Sequence, residues 1–190
     1  MWRQLKIAFI FLGVFTVVTG IIYPLAVTGI AQTFFHHRSN GSLIVVQGKT
    51  AGSELIGQPF SDPKYFWGRL SATSPVPYNA DASSGSNYGP ENQELRQAVQ
   101  SRIDALKAVD PGNNNPVPVD LVTFSGSGLD PNISVAAAQY QVPRVARYWG
   151  LPESQVLSLI KKFTENRQFG ILGEPRVNVL ELNLALDNKQ

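Results

Sequence analysis

The sequence predicts an α+β (or α/β) protein: one N-terminal transmembrane helix, then a single extracytoplasmic domain in which a small sheet packs against helices. Three observations lead there. Between Lys6 and Arg38 no Lys, Arg, Asp or Glu interrupts a run dominated by Ile, Leu, Val, Phe, Ala and Gly. Beyond that run, apolar residues recur with a helical period in some segments and cluster or alternate in others, separated by Pro- and Gly-rich stretches. The remainder, about 155 residues, is enough for one domain with its own core and too short for two.

The apolar run comes first. A hydrocarbon core about 30 Å thick takes roughly 20 residues of helix, and a lone segment satisfies its backbone in lipid only as a helix. A membrane helix is therefore expected from Leu5 to Phe34, with residues 1–35 as the anchor and 36–190 as the domain. Arg3 and Lys6 precede the run, which predicts a cytoplasmic N-terminus and a domain outside. A cleaved signal peptide is the competing reading, with Gly29-Ile30-Ala31 as its small-residue cleavage site. The apolar stretch continues well past the usual h-region of roughly 7 to 15 residues, which favours the anchor. Gly13, Thr16 and Gly20 share one face at helical spacing. That face is either a groove for a neighbouring helix or the ordinary composition of membrane helices.

All 14 acidic residues and 14 of the 16 basic ones follow the anchor, so the domain is formally neutral. The net +2 is a topology signal, and the basic stripe that nucleic acid requires is missing. There are no cysteines, so packing without disulfides must hold an exported domain together, and thiol chemistry is excluded.

Taken in order, Leu43-Ile44-Val45-Val46 predicts a short buried strand over 42–47, with Gly48 and Gly52 bracketing a turn and a second extended piece over 54–60. Residues 61–92 form a loop-rich region carrying Tyr65, Phe66, Trp67, Tyr78 and Tyr88. Aromatics in such a loop pin it to a surface, its own or a partner's. Leu95, Val99, Ile103 and Leu106 predict a helix over 91–108, ended by Pro111 and the solvated run Asn113-Asn114-Asn115. A strand is expected over 117–124. Ser134 is placed to cap a helix over 135–140, and Pro143 to open another that stops at Gly150. Val156, Leu159, Ile160 and Phe163 predict a third over 153–165. The alternation of Leu180, Leu182, Leu184 and Leu186 with Glu181, Asn183 and Ala185 predicts a half-buried strand over 179–186.

Candidate chemistry is sparse. Ser125-Gly126-Ser127-Gly128 with Asp130 invites comparison with a phosphate loop, since Gly-turn amides cradle anions. It lacks the Lys-Ser/Thr ending of a P-loop and the first Gly of a nucleophile elbow, and a tight turn closed by Asp130 is the plainer reading. His36 and His37, the only histidines, sit together at the anchor boundary, where adjacent side chains diverge and build no metal site. Asp120, Asp130 and Glu174 have no second acid at a catalytic spacing, and Arg144, Arg147, Arg167 and Arg176 are available to pair with them inside the fold. A membrane-anchored hydrolase using Ser127 or Asp130 would need a base that the domain does not supply.

Read together and in order, several segments resemble the KdpC family, the C subunit of the Kdp potassium-transporting P-type ATPase. They are Gly57-Gln58-Pro59-Phe60, Tyr65-Phe66-Trp67-Gly68-Arg69, Ser71-Ala72-Thr73, Pro77-Tyr78, Gly85-Ser86-Asn87 and Gly89-Pro90. Further on come the stretches 117–123, 125–131, Tyr140 to Ala146 and Gly173 to Leu180, with 182–187. Leu70, Phe124 and Asn132 depart from the family's usual Pro, small residue and His, and the last removes a titrating group. The resemblance implies a bacterial cytoplasmic-membrane complex. In it a channel-like subunit, KdpA, takes up potassium, a P-type ATPase subunit, KdpB, hydrolyses ATP, and a small hydrophobic subunit, KdpF, is an optional member. The KdpC subunit is implied to be a non-catalytic partner needed for assembly, described as a catalytic chaperone that raises the pump's affinity for ATP. ATP and K+ are then handled by the complex, and the chain itself binds no cofactor or metal in its own right. The residues to test for nucleotide contact are Ser125, Gly126, Ser127, Gly128, Asp130 and Gln141. For partner contact they are Gly13, Thr16 and Gly20 in the anchor, and Tyr65, Phe66, Trp67, Tyr78 and Asn87 in the loop, whose alternative role is self-packing.

Overall fold

The computed structural model describes residues 1–188, which divide into two compact units, Met1–Leu43 and the described residues from Ile44 onward. The first unit is the apolar helix. Trp2–Phe34 forms 33 continuous helical residues, and its apolar 18-residue stretch has mean hydropathy 2.3 and no buried residue. It comprises α1 (Trp2–Val17), a π-helical turn (Val18–Ile22) and α2 (Tyr23–Phe34). The wide turn has an identifiable cause: Pro24, in the first turn of α2, has no N–H to return to the preceding turn. The Tyr23 N–H donates to Val18 O, five residues back. A one-turn helix, α3 (His36–Ser39), carries both histidines, exposed.

The second unit mixes helices and short strands with long ordered loops. β1 (Leu43–Val46) and β2 (Lys49–Ser53) form a two-stranded ribbon. Helix α4 (Gln93–Val109) follows, then α5 (Val119–Val122), β3 (Asn132–Ser134), α6 (Val135–Tyr140), α7 (Val142–Trp149), α8 (Glu153–Lys162), β4 (Thr164–Glu165), β5 (Arg176–Asn178) and α9 (Val179–Asp187). The second sheet is antiparallel in the order β3-β5-β4, with Ile133 opposite Val177 and Thr164 opposite the same valine. Phe66, Leu121, Ile133, Val145, Val156, Val177, Leu182 and Leu186 make one core, each no more than 2% exposed.

Caps and turns follow from the residues that make them. Asn92, Ser134 and Asn178 each occupy an N-cap and accept from the N–H of Glu94, Ala137 and Glu181 respectively. Gly150 ends α7 in the left-handed region at φ 62°, where a Cβ would clash with the backbone. The cap at Ser134 and the stop at Gly150 agree with the sequence reading.

Five sequence expectations are corrected. The run 43–46 is not a buried strand; its residues alternate between exposed and half-buried on a ribbon covered on one side only. The second extended piece lies at 49–53, one turn earlier than 54–60, because Gln47 and Gly48 both adopt positive φ, 50° and 76°, and reverse the chain at once. Gly52 lies inside β2 instead of bracketing that turn. No strand spans 117–124: Val119–Val122 form the short helix α5 and only Phe124 makes a bridge, to Leu70, since Pro118 cannot donate to a ladder and sits as the N-cap, while adjacent Leu121 and Val122 are both buried. Residues 179–186 form helix α9. Their alternation misleads because Asn183 belongs to the buried face, only 1% exposed, alongside Leu182 and Leu186.

Asn183 is buried to hold a loop. Its Oδ1 accepts from the Phe66 N–H at 2.8 Å and its Nδ2 donates to the Phe66 carbonyl at 3.0 Å. Gln141 does the same for the next residue, accepting from the Trp67 N–H at 2.8 Å and donating to its carbonyl at 3.1 Å. Arg144, 1% exposed, donates to the carbonyls of Pro63 and Tyr65 and to Gln141 Oε1. The Trp67 ring lies between the guanidiniums of Arg102 and Arg144, 4.8 and 5.0 Å from its centroid. Burial pulls the Arg144 guanidinium down to about 10, against the attraction of Asp110.

Asn183→Leu keeps the volume but strands the Phe66 N–H and C=O, and should destabilise the domain by about 2–4 kcal/mol, read as a lowered unfolding midpoint of the detergent-solubilised chain. The Tyr65 hydroxyl donates to Asp187 at 2.7 Å, and burial together with that bond pushes the phenol up to about 12. Its folded pKa exceeds the ordinary 10.0, so the stability it contributes is complete below pH 10 and lost as the pH rises through 12. Tyr65→Phe should flatten the pH dependence of melting in that window.

Candidate functional site

The loop residues of the domain converge on the turn 125–130. Ser125 N–H donates to Leu70 O at 3.0 Å, Gly57 N–H to Leu129 O at 2.8 Å, and Ser84 N–H to Ser127 O at 2.9 Å. Ser71 Oγ donates to Gly128 O at 2.7 Å while accepting from the Tyr78 N–H at 2.9 Å. Thr73 Oγ1 accepts from Asn79 N–H and donates to Val76 O. Gly128 is required here twice over: its φ is +70°, and a Cβ would sit 2.6 Å from the Ser84 carbonyl. The segments that looked separate in the sequence, around Gly57, Ser71, Tyr78, Gly85 and Ser125, are thus one knot.

Beside the knot lies a cavity of about 580 Å³ with walls of Pro118, Val119, Ile133, Ala136 and Pro175 and a polar end of Arg69, Asp130 and Asn132. Asp120, Ser134, Glu174 and Arg176 complete its lining. Arg69 Nη1 donates to Asp130 Oδ2 at 3.1 Å and Nη2 to the Phe124 carbonyl at 3.1 Å, whereas its Nε has no partner. Asp130 Oδ1 closes an Asx turn on the Asn132 N–H at 3.0 Å, and Asn132 Oδ1 is without a partner. Asp120 is occupied, accepting from the Ser134 N–H at 2.7 Å and its hydroxyl at 3.1 Å. Nearby, burial raises the Tyr78 phenol above its usual range, opposed first by Arg102. Burial likewise lowers Arg102, which donates to the carbonyls of Leu121 and Gly68.

The sequence-nominated residues separate into distinct roles. Asp130 lines the cavity; Ser125, Gly126, Ser127 and Gly128 do not, and their backbone groups serve the knot. Ser127 Oγ accepts from the Leu129 N–H at 3.1 Å. Gln141 is 1% exposed with its amide engaged on both sides. Phe66 and Trp67 are core residues, 0% and 5% exposed, so they pack within the domain and present no surface to a partner. Tyr65 is half-buried against Phe60 and Trp149, with centroids at 5.4 and 6.1 Å. Tyr78 adopts φ 59° and donates to the Arg69 carbonyl at 2.5 Å. Asn87 is exposed at φ 53°. Gly13, Thr16 and Gly20 lie on exposed helix, and a Cβ at either glycine would meet nothing.

Of the proposed internal pairings, Arg167 meets Glu174 at 2.7 Å, while Arg147 instead meets the buried Asp110 at 2.8 Å and Arg176 meets Glu165 at 2.6 Å. Asn113 is not simply solvated, since its amide donates to Asp110 and to the Tyr140 carbonyl. Arg69 and Asn132 were missed as cavity residues. Arg69 stood within a quoted motif, but nothing in the sequence tied it to Asp130, 61 residues away. Among the described residues no cluster of three His, Cys, Asp or Glu is placed to hold a metal.

Gly128→Ala should cost about 1–3 kcal/mol through strain at positive φ and contact with the Ser84 carbonyl. Gly112→Ala, in open space, should change the unfolding midpoint little. The pair measured side by side separates turn geometry from general glycine effects.

A family model, KdpC, described as "K+-transporting ATPase, c chain", matches residues 5–188. Among curated relatives, the potassium-transporting ATPase KdpC subunit of Methylococcus capsulatus is 61% identical over 187 residues, covering 98% of each chain. That of Herpetosiphon aurantiacus is 64% identical over 174 residues, covering 92% of this chain and 90% of its own. That of Dechloromonas aromatica is 63% identical over 173 residues, covering 91% of both. The matches take in the apolar helix and the loop knot together, and the chain belongs to the KdpC family.

Proposed function

We propose that the chain is a non-catalytic accessory subunit of an ATP-driven potassium uptake complex. The observation that carries this reading is the match over residues 5–188 to a family described as the c chain of the K+-transporting ATPase. In this reading Trp2–Phe34 crosses the bacterial cytoplasmic membrane once, with Arg3 and Lys6 inside and the domain outside. The domain caps the exterior mouth of the channel-like subunit, KdpA, and the helix packs beside it and the ATPase subunit, KdpB, with KdpF as a further neighbour.

An effect on ATP affinity is then carried through the membrane subunits as a coupling free energy between distinct sites. Two features support transmission over direct binding. In the turn 125–130 the Ser125 N–H donates to Leu70 O and the Ser127 and Leu129 carbonyls accept from neighbouring loops, and Gln141 is sealed in the core. The domain also faces away from cytosolic ATP if the anchor has the proposed orientation.

Purification from potassium-starved cells through a C-terminal tag in mild detergent should recover the channel-like and ATPase subunits with potassium-stimulated ATP hydrolysis. The chain eluting alone would overturn the reading. Ser127→Ala should leave potassium-limited growth intact, and the purified chain should not retain labelled Mg-ATP. Tight retention would restore direct nucleotide binding.

A further inference from the structure

The connection between β4 and β5 is a hairpin whose tip is apolar and exposed. Phe169 is 91% exposed, Ile171 76% and Leu172 54%. The tip is not slack: Gln168 and Leu172 exchange two backbone hydrogen bonds of 2.9 Å, and the Gly170 and Ile171 amides donate to Arg167 and Gln168. Phe169 and Gly170 both have positive φ, 53° and 76°, the geometry of a two-residue hairpin turn that normally selects Asn-Gly. A bulky aromatic at that position is unfavourable twice, in backbone strain and in hydration, and the free chain returns neither cost. Such an outlier is retained where another surface receives it.

We infer that the tip Phe169–Leu172 is a docking finger that inserts into an apolar socket on the extramembrane surface of an integral-membrane subunit of the same ATPase; this rests on the accessory-subunit reading. Charge decides between protein and lipid. Within 164–178 each arginine is taken by a glutamate, Arg167 by Glu174 and Arg176 by Glu165, so the base of the finger is neutral. A lipid-inserting tip is supported by unpaired cations facing anionic headgroups, whereas here the Glu174 side chain is 76% exposed. An apolar tip inside a ring of satisfied polar groups is the anatomy of a protein interface. The surface continues into the cavity, since Glu174, Pro175 and Arg176 line it together with Val119, itself 71% exposed. The partner therefore meets a projecting finger and an adjoining hollow.

The absence of native cysteine permits a single-site test. Phe169→Cys in the full chain, co-expressed with the complex, should react with a fluorescent maleimide at least tenfold more slowly in the assembled complex than in the free detergent-solubilised chain. Phe169→Asn suits the turn and keeps the fold, so its unfolding midpoint should equal or exceed wild type while its recovery with the ATPase falls at least tenfold. Equal labelling rates, or undiminished recovery of Phe169→Asn, would overturn the finger while leaving complex membership intact. Quenching of a label at 169 by nitroxide lipids, with the free chain in vesicles containing anionic lipid, would assign the tip to the bilayer and also overturn it. If the wild-type chain recovers no ATPase, the underlying reading falls and the finger with it.

Discussion

The domain depends on two side-chain amides standing in for a strand. The segment 63–68 runs through the core without ladder partners, and its peptide groups would be stranded there. Asn183 and Gln141 each offer one acceptor and one donor to a single residue, the pairing a neighbouring strand would provide. Arg144 and Trp149 satisfy further carbonyls, at Pro63, Tyr65 and Lys64. Because these groups come from α7, α9 and the turn between α6 and α7, the helices cannot assemble correctly without the loop, nor the loop without them. That mutual requirement is why Phe66, the most deeply buried aromatic, sits on irregular backbone.

Legibility from the sequence tracks how local each determinant is. The long apolar helix, the cap at Ser134, the stop at Gly150 and the apolar face of α8 are set by residues within a few positions of one another. They were readable. The character of α9 was not, because Asn183 looks polar and is buried through a bond to Phe66, 117 residues away. The strand expected at 117–124 failed similarly, since Asp120 is spent holding the start of α6 through Ser134. The sites show the same division. The aromatic cluster 65–67 stands out in the sequence, and in the structure Phe66 and Trp67 are buried; conspicuous residues in a loop carry no label for which surface they serve.

The knot at 125–130 extends the principle to backbone. Glycines at 57 and 128 allow carbonyls and rings to approach within distances that any side chain would forbid, so loops distant in sequence meet through their main chains. The cavity beside it shares Asp130 with this turn, and the ion pair of Arg69 with Asp130 there is about three-quarters shielded from water.

The latching of loops by amides and guanidiniums, in a chain without cysteine, also frees maturation from oxidative chemistry. The domain needs no oxidant or disulfide exchange to reach its native loop arrangement, and a shift in the redox potential around it leaves no disulfide to lose.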